Sequence, residues 1–244
     1  MKKVKLGVHI DHVCTVRQAR REKNPDPVEA ARVALAAGAE MIVMHLRADR
    51  RHVQDSDVER VRAEVKGMLH LEMAATPEME KFALKTKPDS VCLVPESPNE
   101  VTTQGGIKLS GRNAELERVI KSLSGAGIEV AVFTDPEPEA IRKVHKLGAD
   151  SIELCTSAYS SSWGKKLQAR ELEKLQLASF LVKELKLGLH AGHGLDYYNV
   201  SQVARIDGMD CLNIGYAIIS RAVFTGLREA VREMKRLMRE AAAR

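Results

Sequence analysis

Histidine and acidic residues follow several short apolar runs of this sequence, and together they could perform acid–base chemistry. The first run leads into His9, Asp11 and His12, and two later runs end in His45 and in Glu72. Imidazoles accept and donate protons near neutral pH, and a carboxyl group does the same when its surroundings raise its pKa. The residue types therefore predict general acid–base catalysis.

Further ionisable residues occupy equivalent positions. Arg47 and His52 come after His45, and arginine is well suited to bind phosphate through paired hydrogen bonds. An ionisable side chain on an otherwise apolar strand is costly to bury unless it is paired or used. We expect one site that binds a phosphorylated small molecule. Four side chains should contribute to it: His45, Glu72, Glu153 and His193.

Two glycine-bearing turns give a second sign of phosphate binding. Gly194 and Gly215 each come after an apolar run and before a segment of helical period. Backbone N–H groups at a helix N-terminus bind phosphate, and glycine lets the backbone approach the ligand closely. Close helix–strand packing explains one such turn equally well, but two on neighbouring strands favour a phosphate site.

Metal binding is the main chemical alternative. His9 and His12 are three residues apart, as are His190 and His193. Residues three apart on a strand point to opposite faces, so neither pair chelates an ion without a bend. The His-Glu-x-x-His pattern of zinc hydrolases is absent from the sequence. We therefore predict chemistry without a metal or an organic cofactor.

The elements that would position these residues alternate between strand and helix. Asp26-Pro27, Thr76-Pro77 and Asp135-Pro136 are typical helix starts. Alternating units of this kind predict a parallel sheet, and eight of them predict a (β/α)₈ TIM barrel with extra helical insertions, as one domain over residues 1–244. A doubly wound open sheet is the alternative, because periodicity does not show closure. The strand-like runs begin near Lys5, Glu40, Met68, Ser90, Glu129, Ser151, Leu187 and Cys211.

The alternation of residues along each strand predicts which side chains enter the barrel. The apolar residues of the first run share one face, so His9 shares the other face with Asp11, and His70 shares a face with Glu72. The apolar face should meet the helices, which leaves the polar face for the interior. His9 and His190, on strands one and seven, are expected to lie in one layer.

Composition excludes several other classes of protein. The formal net charge of +5 suits anionic small molecules and is too small to indicate nucleic acid. An apolar stretch of about 20 residues, as a membrane span requires, is absent from the sequence. The four cysteines form no Cys-x-x-Cys pair, which is typical of a reduced, cytoplasmic protein.

Several motifs together resemble one known family, the pyridoxine 5′-phosphate synthases. The resemblance runs in order from the first strand to the last helices. It is carried by His9-Ile10-Asp11-His12-Val13, Thr15-Val16-Arg17-Gln18-Ala19-Arg20, His45-Leu46-Arg47, Asp49-Arg50-Arg51-His52, Leu71-Glu72-Met73-Ala74, Cys92-Leu93-Val94-Pro95-Glu96, Glu100-Val101-Thr102-Thr103, Ala191-Gly192-His193-Gly194-Leu195 and Leu212-Asn213-Ile214-Gly215.

The resemblance implies an activity and a role for individual residues. It implies a cytoplasmic enzyme that condenses 1-deoxy-D-xylulose 5-phosphate with 3-amino-2-oxopropyl phosphate, releases inorganic phosphate and assembles as a homo-octamer. By resemblance, His45 and Glu72 are general bases and His193 is the general acid. The positions that match deoxyxylulose phosphate contacts are Asp11, His12, Arg47, His52 and Thr102; those near the aminoketone phosphate are Arg20, Gly194 and Gly215.

The sequence departs from the family pattern at three positions near this chemistry. His9 and His190 stand where the family usually has Asn, and Tyr216 stands where it has His. We include His9, Tyr216 and Glu153 among the expected substrate contacts. Two other functions remain open: a related phosphosugar-condensing enzyme or lyase with a changed amine subsite, and a binding protein that has kept the barrel without catalysis.

Overall fold

Eight parallel strands close into a barrel in chain order. The computed structural model describes residues 3–97, 100, 103, 105–109 and 113–242. Closure is made where β8 pairs with β1, with Cys211 opposite Lys5. The predicted TIM barrel is therefore confirmed and the open sheet is wrong. The strands are β1 (Lys5–His9), β2 (Met41–His45), β3 (Met68–Met73), β4 (Ser90–Leu93), β5 (Glu129–Thr134), β6 (Ser151–Cys155), β7 (Gly188–Gly192) and β8 (Cys211–Ile214).

Helices follow the strands, and three strands are followed by two helices where one would complete the unit. The extra helices come after β1, β6 and β8 in the part of the chain that the structure describes. Within the same residues, none of the helices has the length and apolar character that a membrane span needs. The helices are α1 (Asp11–Arg20), α2 (Pro27–Ala36), α3 (Asp55–Glu64), α4 (Pro77–Thr86), α5 (Ala114–Gly125), α6 (Pro138–Lys146), α7 (Ser157–Ser161), α8 (Gln168–Glu184), α9 (Val200–Ala204), α10 (Tyr216–Thr225) and α11 (Leu227–Ala242).

Two of the three predicted helix starts are confirmed. The side chains of Asp26 and Thr76 accept hydrogen bonds from backbone N–H groups in the first turns of α2 and α4. The prediction at Asp135-Pro136 is wrong, because α6 begins two residues later, at Pro138. The Asp135 carboxylate instead accepts a hydrogen bond of 3.0 Å from the N–H of Gly106, in the segment after β4. Asp135 therefore makes a long-range contact and does not cap α6.

The apolar face of each strand packs against the helices, as the alternation predicted. Leu6 and Val8 on β1, and Leu69 and Leu71 on β3, belong to the main core cluster between strands and helices. The opposite face lines the barrel interior, where apolar residues form only two small clusters. The remaining inward positions are available for the polar residues of a site.

Four acidic residues make the same contact at the amino-terminal end of the barrel. Each stands just before an even-numbered strand, and its carboxylate accepts the N–H of a residue in the preceding odd-numbered strand. We call these residues the amino-end acids. The contacts are Glu40 with Leu6 (2.8 Å), Asp89 with Leu69 (2.8 Å), Asp150 with Val130 (2.8 Å) and Asp210 with Leu189 (3.0 Å).

Candidate active site

The carboxylate of Glu72 lies between two imidazoles at the carboxyl-terminal end of the barrel. Its Oε1 is 3.1 Å from His9 Nε2, and its Oε2 is 3.6 Å from His45 Nδ1. His9 and His45 are the last residues of β1 and β2, and Glu72 is the next to last of β3. Three neighbouring strands thus bring three ionisable groups together, as the sequence predicted for His45 and Glu72.

Asp11 connects the first two strands of this group. Its Oδ2 lies 2.8 Å from His9 Nδ1, and its Oδ1 accepts a hydrogen bond of 2.9 Å from the backbone N–H of His45. Because Asp11 is the first residue of α1, its carboxylate also lies where the helix dipole favours negative charge. The contact holds the end of β1 and the end of β2 in one arrangement.

Burial and charge act in opposite directions on these groups. Burial disfavours each charged form, but the carboxylates of Glu72 and Asp11 outweigh it at His9 and raise its pKa well above the ordinary value. Burial would likewise raise the carboxyl pKa values, yet His9 is the main group that lowers them, to about 2 for Asp11 and about 2 for Glu72. The favoured state near neutral pH is a charged imidazolium between two carboxylates. The expectation of a carboxyl base with a raised pKa is therefore wrong for Glu72, because the charge of His9 outweighs burial.

Glu96 is a member of the site that the sequence did not single out. Its Oε1 lies 3.0 Å from His45 Nε2, and its Oε2 accepts a hydrogen bond of 2.9 Å from the N–H of Ala48. Both ring nitrogens of His45 therefore face carboxylates. The position of Glu96 three residues after β4, at the end where the site lies, was the available signal.

Arg47 provides a buried positive charge beside this network. One of its terminal nitrogens donates to Glu100 at 3.1 Å and to the Ser97 carbonyl at 3.4 Å. Its Nε makes no hydrogen bond among the described residues, although Asp49 Oδ1 lies 3.9 Å away. A buried guanidinium with an unused donor is suited to an anionic ligand. Glu100, like Glu96, was not predicted as a site residue.

His52 and His12 flank the central network. The His52 ring lies 6.2 Å from that of His45, and its Nδ1 accepts the N–H of Val53 at 2.8 Å, so a neutral ring carries its proton on Nε2. His12 meets the ring of Tyr216 edge-on at 5.4 Å. Burial lowers the pKa of both His52 and His12, although Asp11 opposes the effect. Both imidazoles are therefore mainly neutral at pH 7.

His193 lies in the turn after β7, at the same end of the barrel. Its backbone has φ +80°, and Gly194 follows with the same value. The His193 carbonyl accepts a hydrogen bond of 2.6 Å from the Thr156 hydroxyl, which fixes a turn that an L residue rarely adopts. Burial lowers the pKa of His193, and the Glu72 carboxylate partly offsets this. The ring is partly exposed, so a ligand can reach it.

Gly215 precedes α10 and packs against the ring of His9. A Cβ atom at this position would lie 2.7 Å from the Cβ of His9, closer than real side chains approach. Glycine is required here for space, and the N–H groups at the start of α10 come next to His9. Tyr216, the first residue of α10, is 73% exposed.

Glu153 lies deeper in the barrel interior. Its Oε2 accepts a hydrogen bond of 2.7 Å from the amide of Asn213, which the sequence did not indicate. His190, on β7, faces His70, with ring centroids 5.9 Å apart. His70 and Glu72 are two residues apart on β3, and His9 faces Glu72. The prediction that His9 and His190 share one layer is therefore wrong: they lie at successive levels.

One buried group in the interior contains residue types that bind metals. Ligand atoms of His70, Cys92 and Glu153 all lie within 4.8 Å of one another. Burial, with the carboxylates of Glu153 and Glu72 nearby, raises the pKa of the Cys92 thiol well above its ordinary value. A metal ligand is a thiolate, whereas this environment favours the neutral thiol. The group has the character of a packed core layer.

Two of the predicted contacts are not part of the described network. Arg20 is the exposed last residue of α1, a helix of 10 residues that starts at Asp11. At 1.5 Å per residue, Arg20 stands about 14 Å along the helix axis from Asp11. Thr102 lies outside the described residues.

A closed (β/α)₈ barrel with histidines and carboxylates at the carboxyl ends of its strands defines a class, the TIM-barrel enzymes. The model of the "Pyridoxal phosphate biosynthesis protein PdxJ" family matches residues 6–240. The chain therefore belongs to the PdxJ family, as its motifs predicted.

Curated relatives with similar sequences match nearly the whole length of the chain. The chain is 52% identical over 238 residues to the pyridoxine 5′-phosphate synthase of Elusimicrobium minutum (strain Pei191), which covers 97% of this chain and 98% of that protein. It is 51% identical to the enzyme of the same name from Synechococcus sp. (strain JA-2-3B'a(2-13)), with 96% and 98% covered. The solved structure of thiamine phosphate pyrophosphorylase from Pyrococcus furiosus covers 98% of both chains with a TM-score of 0.63 at 18% identity, which shows a shared fold alone.

Proposed function

We propose that this protein is a pyridoxine 5′-phosphate synthase. It condenses 1-deoxy-D-xylulose 5-phosphate with 3-amino-2-oxopropyl phosphate and releases pyridoxine 5′-phosphate, inorganic phosphate and water. The observation that carries the proposal is the Glu72 carboxylate between His9 and His45, in a chain 52% identical to a protein of that name. Joining an amine to a ketone and closing an aromatic ring needs several proton transfers, and this group of side chains suits them.

In this proposal His45 and Glu72 are the general bases and His193 is the general acid. Proximity supports the first two, since their side chains already contact each other. His193 is a separate group on the opposite side of the site, with a pKa below its ordinary value. A general acid that works from that position must be protonated when the substrate is bound, and a bound phosphate dianion favours that form. No metal or organic cofactor takes part.

The substrate phosphates are assigned to the donors around this centre. For deoxyxylulose phosphate these are Arg47, whose Nε is buried, with His52, His12 and Thr102. Asp11 is an acceptor and is assigned to a hydroxyl group of the same substrate. For the aminoketone phosphate they are Gly194 and Gly215, with Tyr216. His9 contributes its positive charge, because both of its ring nitrogens face carboxylates, and Arg20, at the far end of α1, lies outside this group. The backbone at Gly194 and Gly215 precedes helical segments, and donors of that kind bind phosphate without a side chain. We propose that Glu153 contacts the substrate from the barrel interior, on the side away from solvent.

We also propose a cytoplasmic homo-oligomer, an octamer by family resemblance, with no nucleic-acid or membrane partner. Exposed apolar side chains support the association of copies. Val16 on α1 and Val223 and Phe224 on α10 are 55%, 74% and 86% exposed. Apolar groups in such number on two contacting helices are suited to a subunit interface. Light scattering of the purified protein measures the number of copies, and a monomer would contradict this part of the proposal.

A coupled assay tests the activity. The purified protein is given both substrates, and pyridoxine 5′-phosphate and released phosphate are followed together. We expect both products from the wild type and from His145→Asn, a matched histidine change on the exposed face of α6, and neither product from Glu72→Gln. Saturable binding of deoxyxylulose phosphate without product would instead indicate a related enzyme with another amine substrate. Binding of neither substrate would overturn the proposal.

A further inference from the structure

His9 contacts carboxylate oxygens through both of its ring nitrogens. Nδ1 lies 2.8 Å from Asp11 Oδ2, and Nε2 lies 3.1 Å from Glu72 Oε1. A neutral imidazole carries one N–H, so it can donate to only one of these oxygens and leaves a lone pair facing the other. The protonated ring donates to both. The geometry therefore selects the imidazolium form.

The ring also has little freedom to leave this position. Asp11 is held by the backbone N–H of His45, and Gly215 packs against the Cβ of His9 with no space for a side chain of its own. The ring is only 16% exposed. Asp11, His9, Glu72 and His45 form a closed circuit in which every member contacts two others.

We propose that His9 is a positioning residue that, as a doubly donating imidazolium, holds the Glu72 carboxylate ionised and directed toward His45. This inference rests on the proposed role of Glu72 as a base. It gives His9 a function beyond contact with substrate phosphate, because His9 acts through Glu72 before any substrate is bound. Asp11 is the second anchor that keeps the charged ring in place.

The charges around His9 agree with this assignment. The groups that face it are Asp11 and His12 from the start of α1, Glu72 from β3 and His193 from the turn after β7. Val43 on β2 and Gly215, the residue after β8, contribute no charge. Two carboxylates in direct contact outweigh two imidazoles that are both mainly neutral, and the pKa of His9 is accordingly raised.

Removal of the charge should expose the effect of burial on Glu72. An opposite charge in contact lowers a carboxyl pKa by about 1–3 units, and burial raises it. In His9→Asn, His45 remains in contact with Glu72 at 3.6 Å, and His193 is mainly neutral. The pKa of Glu72 should then rise from about 2 to between about 3 and 5. The base would be lost on acidification toward pH 4 in the variant and not in the wild type.

The kinetic test compares pH profiles of kcat/KM for the wild type, His9→Asn and the control His145→Asn. We expect the acidic limb of the profile to move up by about 1–3 pH units in His9→Asn, which lowers activity at pH 4 relative to pH 7 by up to about tenfold, since one pKa unit is a factor of ten. The change should lie in kcat, with the KM for deoxyxylulose phosphate nearly unchanged. Superimposable profiles for all three proteins would overturn the proposal.

A second measurement does not depend on catalysis, and two variants are available for the assignment in case one does not fold. Nitrogen-15 NMR of the histidine-labelled wild-type protein reports directly which ring nitrogens carry protons. We expect an imidazole that is protonated at both nitrogens at pH 7.5, assigned to His9 by its loss in His9→Asn or His9→Gln. A singly protonated His9 would contradict this inference alone, whereas full activity in Glu72→Gln would contradict the base role of Glu72.

Discussion

The two ends of the barrel use acidic residues in opposite ways. At the amino-terminal end, the four amino-end acids each accept a backbone N–H from the neighbouring strand. At the carboxyl-terminal end, Asp11, Glu72 and Glu96 each contact an imidazole ring. Asp11 and Glu96 also accept backbone N–H groups, so the imidazole partner is what distinguishes the carboxyl-terminal end.

The partner determines what a carboxylate can do. A backbone N–H never gives up its proton near neutral pH, so a carboxylate bound to it is a fixed structural acceptor. An imidazole gains or loses a proton in the physiological range, so a carboxylate beside it shares in proton transfer. One end of the barrel therefore stabilises the fold, and the other end is suited to chemistry. This division matches the general placement of stability and function in TIM barrels.

The sharpest test of this division is Glu72→Gln at the carboxyl-terminal end. The change keeps the size of the side chain and removes its charge, so kcat should fall by about 10²–10⁴-fold, the usual contribution of a general base. The fold should persist, as circular dichroism would show. A fall in kcat of less than tenfold would mean that Glu72 does not carry the base function.

Asp150→Ala is the matched change at the amino-terminal end. It leaves the N–H of Val130 without its acceptor, and a buried unsatisfied donor costs about 1–3 kcal/mol of unfolding free energy. kcat should be nearly unchanged, because the barrel separates this end from the site. Denaturant unfolding measures the loss.

Asp207→Ala provides the comparison for Asp150→Ala. Its carboxylate forms an exposed ion pair with Lys183, and its side chain is 85% exposed. Pairs of this kind contribute little, so the unfolding midpoint should hardly move. If Asp150→Ala also left the unfolding midpoint unchanged, or if it reduced kcat strongly, the structural role of the amino-end acids would be refuted.

The smallest expected effect is a pH dependence of stability that comes from the His9–Glu72 pair. Glu72 has a folded pKa of about 2, below its ordinary value of 4.5, so its contribution is present above pH 4.5 and is lost as the pH falls toward 2. His9 has a raised folded pKa, so its contribution is complete below pH 6.5 and is lost as the pH rises through that raised value.

The two contributions overlap between about pH 4.5 and pH 6.5. Glu72→Gln removes the pair, so the difference in unfolding free energy between wild type and variant should be largest in this window and smaller on both sides of it. Urea unfolding at a series of pH values measures the difference. A difference that does not vary with pH would show that the pair is not charged in the folded protein.

Much of the site could be read from local pattern. Alternation along β3 placed His70 and Glu72 on the inward face, and the run of β2 placed His45 at its end, as the structure shows. These predictions succeeded because the side-chain direction in a strand repeats every two residues whatever its neighbours are. The number of strands followed from the same kind of signal, whereas the closure of the sheet did not.

Contacts between distant segments were beyond the reach of local pattern. Glu96 is 51 residues from His45, its partner, and nothing in the segment around Glu96 indicates that it faces an imidazole. Asp135 has the sequence context of a helix cap, yet its carboxylate accepts a hydrogen bond from the N–H of Gly106, 29 residues away. The choice between two partners is made by whichever donor the folded chain brings within hydrogen-bond distance.

His9 shows where the two sources of information meet. The sequence by itself determined that an ionisable residue ends the first strand of an alternating strand–helix chain, because hydrophobic period and residue type are local properties. Only the tertiary structure decided that its ring lies between Asp11 and Glu72 and so carries a charge, because a pKa depends on burial and on the charges that closure of the barrel brings together.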